Sequence, residues 1–151
     1  MCVSGVAGAH LESVLENEAA EHLATNGWLY SPTDAGYDRE LALFPEDVLG
    51  WLVDSQPTEF AKVVRPEDTE AQRDAAGRGI LTRLAKSLDL DPLKNGGTIR
   101  ILHEGFSMVP LHGGAVKFRL AQFRPATTQN PETLEAYGKM RVRVMRQVDY
   151  S

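Results

Sequence analysis

The sequence predicts an α+β fold, bordering on the α/β class, in which N-terminal helices are followed by a small mixed sheet. Three observations carry this expectation. Apolar residues recur three and four apart through most of residues 11–90, the punctuating run Asn95-Gly96-Gly97 then acts as a flexible joint, and beyond it the apolar residues alternate.

The elements follow in order. Residues 1–10, MCVSGVAGAH, are small and uncharged and lack a basic segment ahead of an apolar run, so they read as a disordered leader and not as a signal peptide, with one domain expected over residues 11–151. Residues 11–25 place Leu11, Val14, Leu15, Ala19 and Leu23 at helical spacing, and Asn26-Gly27 supplies a stop. Turn residues fill 31–36, and residues 39–44 suit a short strand or an extended link. Pro45, Glu46 and Asp47 open a second helix, with a proline in its first turn and acids at its positive end. Gln56-Pro57 interrupts, and a short helical turn carries Phe60 and Val63. From Pro66 to Asp68 begins a longer helix with Ile80, Leu81, Leu84, Ala85 and Leu88 on one face, weakened in its middle by Gly77 and Gly79. TIRILHEGFSMV and AVKFRLAQF read as two strands joined around HGG. NPETLEAYGKM reads as a helix capped by Asn130 with Pro131 at its first position, and RVRVMRQVDYS as a final strand.

A length of 151 residues is enough for one domain with a real core, and 42% hydrophobic with 25% charged residues is the balance of a globular protein. The net charge of −5 gives no global basic field, so nucleic-acid binding would need a local patch. The single cysteine, Cys2, has no intramolecular disulfide partner, which suits a reducing compartment. No apolar run approaches the roughly eighteen residues of a membrane span. A cytoplasmic location is expected.

Several residues are candidates for function. At about 100° per residue, Glu18 and His22 fall inside the apolar stripe of the first helix. Two readings are open: a local Glu18 and His22 pair or rim contact, or a Glu18 carboxylate directed towards a polar site built by the sheet. In the last strand Arg141, Arg143, Gln147 and Asp149 share one face, and Val142, Val144, Arg146, Val148 and Tyr150 share the other. Together with Lys117, Arg119 and Arg124 on the preceding strand, the two arginines suit either phosphate contacts or a solvated sheet face. His103 and His112 have no Cys or acid at zinc-ligand spacing. AAGRGIL lacks the order of a P-loop, and Ser13, Ser31 and Ser55 lack the glycine context of a nucleophile elbow.

The segments LENEAAEHLATNGWLY, YDRELALFPEDVLGWLVDSQP, FRLAQFRPATTQNPETLEAY and RVRVMRQVDYS, in that order, resemble the N-terminal region of the restriction (R) subunit of type I restriction-modification enzymes. The resemblance runs from about Leu11 to Ser151 and is weakest over residues 62–97. The chain departs from the family at Met140, where an asparagine is usual, and at Leu15, where an aromatic is common. The lost polar side chain at Met140 is expected to leave a backbone group uncapped.

The resemblance implies a nuclease domain of the PD-(D/E)xK type that cleaves DNA with Mg²⁺, motor domains that translocate it with ATP, and docking on methyltransferase and specificity subunits. The core is then expected to be incomplete, because the catalytic Asp strand and the Glu-x-Lys strand would follow RVRVMRQVDYS. Glu18 would be an accessory carboxylate, with Glu16 the next choice, while Lys117, Arg119, Arg141, Arg143 and Gln147 would contact nucleic acid. By itself the chain is expected to be an inactive N-terminal fragment, with the edge of its last strand unpaired or paired with another chain. The alternative is a stand-alone DNA- or protein-binding module derived from that subunit.

Overall fold

The computed structural model describes residues 3–90 and 92–146, and combines seven helices with four short strands among them. In chain order these are α1 (Val3–Thr25), β1 (Leu29–Ser31), α2 (Pro45–Ser55), α3 (Pro57–Val63), α4 (Glu70–Leu88), α5 (Pro92–Asn95), α6 (Gly97–Glu104), β2 (Phe106–Met108), β3 (Val116–Phe118), α7 (Pro131–Gly138) and β4 (Arg143–Met145). The mixture of helix and strand agrees with the expected α+β class. No helix among the described residues is long and apolar enough to cross a membrane.

The residues expected to form one domain are distributed over two compact units. Gly36–Met140 forms one, and the described parts of Met1–Ala35 and Arg141–Ser151 form the other. In the first-named unit, local signals start α2, α3 and α7 where the sequence predicts, and start α4 just beyond the expected Pro66 to Asp68. Pro45 and Pro57 occupy the first turns of α2 and α3, where the missing N–H costs nothing. The Thr69 hydroxyl accepts from the Gln72 amide while the Gln72 side chain accepts from the Thr69 N–H, a reciprocal capping box that starts α4. Asn130 caps α7 by accepting from the backbone N–H groups of Glu132 and Thr133.

The core of this unit gathers Leu52 from α2, Val63 from α3, Ile80 and Leu84 from α4, Ile101 from α6, and the cross-strand pair Phe106 and Phe118. Leu52, Ile80, Leu84 and Phe118 are fully buried. The β2–β3 pair is the expected antiparallel hairpin, in register Phe106↔Phe118, Ser107↔Lys117 and Met108↔Val116. The two phenylalanine rings lie 5.6 Å apart and tilted by 38°, the offset geometry that aromatic quadrupoles favour. Gly105, immediately before β2, is required by both backbone and space. Its φ is +80°, and a Cβ there would stand 2.1 Å from the Phe118 carbonyl oxygen.

A side-chain clamp fixes β3 to the helices. Gln56, buried between α2 and α3, donates from its amide nitrogen to the Arg119 carbonyl at 2.9 Å and accepts from the Arg119 N–H at 2.8 Å. The Trp51 indole donates to the same carbonyl at 2.9 Å. One glutamine therefore does for β3 what a neighbouring strand would do, satisfying both backbone groups of a residue at the strand's end.

Three expectations are corrected. Residues 98–104 form α6 and not a strand. Alternation of Ile99 and Ile101 suggested a pleat, but Gly97 and Ile101, one turn apart, are the buried positions while Ile99 is exposed. Packing on α4 selects the helix, and an Arg100 to Glu104 ion pair at 2.7 Å spans one turn of it. Residues 39–44 form neither strand nor plain link, but a turn closed by the isolated Asp38↔Leu43 bridge. Finally, α1 begins at Val3, so it takes in part of the segment expected to be a disordered leader.

Met140 does not leave a gap. Its own N–H donates to the Tyr137 carbonyl at 3.2 Å, its sulfur accepts from the Gln122 N–H at 3.2 Å, and its side chain packs on the core.

Two measurements check this account. Gln56→Leu keeps the bulk but deprives Arg119 of a donor and an acceptor, and should cost about 1–3 kcal/mol in urea unfolding; stability equal to the parent would contradict the clamp. The Asp38 carboxyl is held below its ordinary value of 3.8 by the backbone N–H of Leu41 and then by the Arg78 guanidinium. A depressed folded pKa stabilises above the unfolded value and is lost as pH falls through the folded one. Asp38→Asn should therefore flatten the fall in stability below about pH 4, measured as midpoint against pH.

Candidate functional site

The unit formed by the two chain segments is built on a parallel pair. β1 and β4 align as Leu29↔Arg143, Tyr30↔Val144 and Ser31↔Met145, extended by a Leu29 N–H to Val142 carbonyl bond of 2.8 Å. One edge of β4 is thus paired within the chain, and its other edge has no strand partner among the described residues. β1 was not foreseen at all, since its three residues sit among turn formers.

α1 packs against both strands, and it does so with an unexpected face. Leu11 and Leu15, expected inside, are 68% and 67% exposed, and Val14 is exposed as well. The packed positions are instead Ser13, Glu16, Asn17, Ala20 and Leu23, also spaced three and four apart, with Ala20 the most deeply buried.

The partner of this polar stripe is Arg146, which follows β4. Its guanidinium donates from Nε and Nη2 to Glu16 Oε2 at 3.2 and 3.1 Å, from Nη1 to Asn17 Oδ1 at 2.6 Å, and from Nη2 to Ser13 Oγ at 3.3 Å. The hydrogen bond to Glu16 raises the Arg146 pKa above its ordinary value; burial opposes this, and a hydrogen bond with the Tyr30 side chain adds to it. The planar five-donor fork explains why an arginine stands here, because a lysine ammonium would not span three acceptors on two successive helix turns.

The sequence carried a signal for this cluster. Arg146 is the one charged side chain on the otherwise apolar face of Val142, Val144, Val148 and Tyr150, and a charge on an apolar face needs a partner. That signal was not drawn on: the carboxylate expected on the packed face of α1 was Glu18, which lies outside the packed stripe and is exposed. Glu16, the second choice, is on the packed face, but its carboxylate is committed to Arg146. His22 approaches the Asn26 side chain at 3.5 Å.

The expected basic residues do not form one sheet face. Lys117 and Arg119 belong to the β2–β3 hairpin and its exit, whereas Arg141 and Arg143 belong to the segment of β4. Lys117 is exposed, and its charge is felt by Glu104. Arg119 is exposed in its side chain while its backbone is held by Gln56. Arg143 is half-buried and donates to the Ser31 hydroxyl at 2.7 Å, so it is oriented by the neighbouring strand. Gln147 lies outside the described residues. His103 stacks on Phe123 with ring centroids 4.7 Å apart, and no group of three metal-ligating side chains comes together among the described residues.

Comparison of the chain with protein-family profiles, with curated proteins and with solved structures finds no match in any of the three.

The cluster makes a prediction of coupling. Arg146→Met and Glu16→Gln should each lower the urea midpoint, and the double variant should be no less stable than Arg146→Met alone, because both changes remove one shared interaction. Additive losses would show that the two residues act independently.

Proposed function

We infer that the chain corresponds to the N-terminal part of the nuclease region of a type I restriction subunit, contributing DNA-backbone contacts and a structural half of a site, and not a complete catalytic centre. The observation that carries this reading joins sequence to geometry. The first and last of the four family-like segments, which are far apart in the chain, meet through Glu16, Asn17 and Tyr30 on one side and Arg146 on the other. A helix and two parallel strands tied by a polar cross-link give a frame on which further strands of a nuclease sheet would add.

The groups that the family uses do not fit the described residues. Mg²⁺ takes several oxygen ligands in near-octahedral geometry, but Glu16 is neutralised by Arg146, Glu18 stands exposed, and no group of three metal-ligating side chains comes together among the described residues. ATP needs a phosphate-binding loop, which the sequence lacks. No step of DNA cleavage or translocation is therefore assigned to these residues. Duplex DNA is the partner that Lys117 and Arg119 of the one unit, and Arg141 and Arg143 of the other, each suit, through phosphate oxygens and without sequence readout. Docking on methyltransferase and specificity subunits belongs to the same reading.

Fluorescence anisotropy with a labelled duplex tests the contact. Binding should weaken with salt, and Lys117→Gln or Arg141→Gln should each reduce the slope of log K against log salt by about one unit at most; a flat dependence in the parent overturns the phosphate contacts. In the same preparation, Mg²⁺ should leave supercoiled plasmid uncut. Cutting that disappears in Glu18→Ala would overturn the assignment of Glu18 as exposed and non-catalytic.

A further inference from the structure

The larger unit, Gly36–Met140, carries a cleft that plays no part in the proposed DNA contacts. It has a volume of about 320 Å³, at the small end of the roughly 300–1,000 Å³ typical of ligand sites. Three parts of the chain wall it: the end of α3 with the turn that follows, the first turns of α4, and the loop after β2. Its deepest residues are apolar, with Val63 buried and Ala76 and Met108 half-buried against the core.

Two features separate this cleft from an ordinary surface crease. First, the loop side presents Val109 and Leu111 at 72% and 98% exposure beside that apolar floor. Adjacent bare aliphatic side chains bordering a cavity are the pattern of a surface completed by an apolar ligand. Second, the charged lining is unbalanced, with Lys62 and Arg65 against the single carboxylate of Asp68. Asp68 holds Arg65 from one side, through Nε at 3.4 Å and Nη2 at 2.9 Å. The remaining Nη1 has only the exposed Glu67 at 3.8 Å, beyond hydrogen-bonding distance. Lys62 donates to both carboxylate oxygens of the half-buried Glu59, at 3.0 and 3.1 Å, but its own side chain is exposed, so the pair contributes little and leaves the ammonium open to a second anion. A carboxylate can take the Arg65 Nη1 position and draw on Lys62 without stripping either cation of a buried partner.

We propose that this cleft binds a small amphipathic anion, an unbranched or aryl carboxylate of about the size of octanoate, with its apolar body over Met108 and Ala76 beneath Leu111 and its carboxylate at Arg65 and Lys62. The assignment stands apart from DNA binding, so either can fail alone.

The test uses the full chain labelled with [methyl-¹³C]methionine, with the Met108 signal identified by Met108→Leu. Titration with octanoate should shift the Met108 methyl saturably while the Met140 and Met145 methyls hold still. Acetate should give no saturable shift, and octan-1-ol should bind several-fold more weakly than octanoate. Leu111→Ser, at a position too exposed to affect folding, and Lys62→Gln should each weaken octanoate by about three- to fivefold. An unmoved Met108 methyl overturns the site. Octan-1-ol binding as tightly as octanoate overturns the anionic head, and undiminished affinity in Leu111→Ser overturns the placement of the apolar body.

Discussion

The fold of the larger unit turns on one amide. β2 and β3 are three residues each, too short to hold a sheet on their own, and the backbone groups of Arg119, just past β3 and part-buried, have no strand partner. Gln56 stands in for one by pairing with both the N–H and the carbonyl of Arg119, and Trp51 adds a second donor. Because Gln56 sits at the break between α2 and α3, the same bonds also fix where one helix ends and the next begins. Phe118, held by this arrangement, then becomes the floor on which Leu52, Ile80 and Leu84 close. Gly105 completes the geometry, since no residue with a Cβ passes so near the Phe118 carbonyl.

The other unit solves the opposite problem. Among its described residues Ala20 is the one buried apolar residue, and its contacts centre on a guanidinium whose donors are met by a carboxylate, an amide, a hydroxyl and Tyr30. That demand overrides the leucine stripe of α1. Burying Leu11 and Leu15 on so small a surface would recover modest hydrophobic free energy, whereas leaving Arg146 unpartnered against the helix would strand a desolvated charge. The helix accordingly presents the stripe of Ser13, Glu16, Asn17, Ala20 and Leu23 to the strands, and Leu11 and Leu15 to the outside.

Functional consequences differ between the two. In the two-segment unit, charge is spent on structure: Arg146 is satisfied by α1, and Arg143 is aimed by Ser31. In the larger unit, Asp68 holds Arg65 from one side only, and the exposed Lys62 lies beside the same apolar floor, the combination proposed above to take an amphipathic anion. The separation of Lys117 and Arg119 from Arg141 and Arg143 into different sheets also means that a shared basic face cannot be read from strand order.

Legibility followed the range of the interactions. Pro45, Pro57 and the Asn130-Pro131 start were legible, because caps and proline act within one helical turn and owe nothing to distant residues; the Thr69 and Gln72 box acts over the same range but went unread, and α4 was expected to open at Pro66 to Asp68 instead. The β2–β3 hairpin was legible for the same reason. The helix α6 was not, because Ile99 and Ile101 satisfy a strand pattern equally well and only the surface of α4 decides between them. Nor was the parallel pairing of β1 with β4, which joins residues more than a hundred positions apart, or the choice of Glu16 over Glu18, which depends on where Arg146 arrives. The sequence by itself determined the starts of α2, α3 and α7 and set one charge, Arg146, on an otherwise apolar face. Tertiary structure alone decided which partner, which face of α1 and which strand, since those choices are set by three-dimensional proximity that no local pattern encodes.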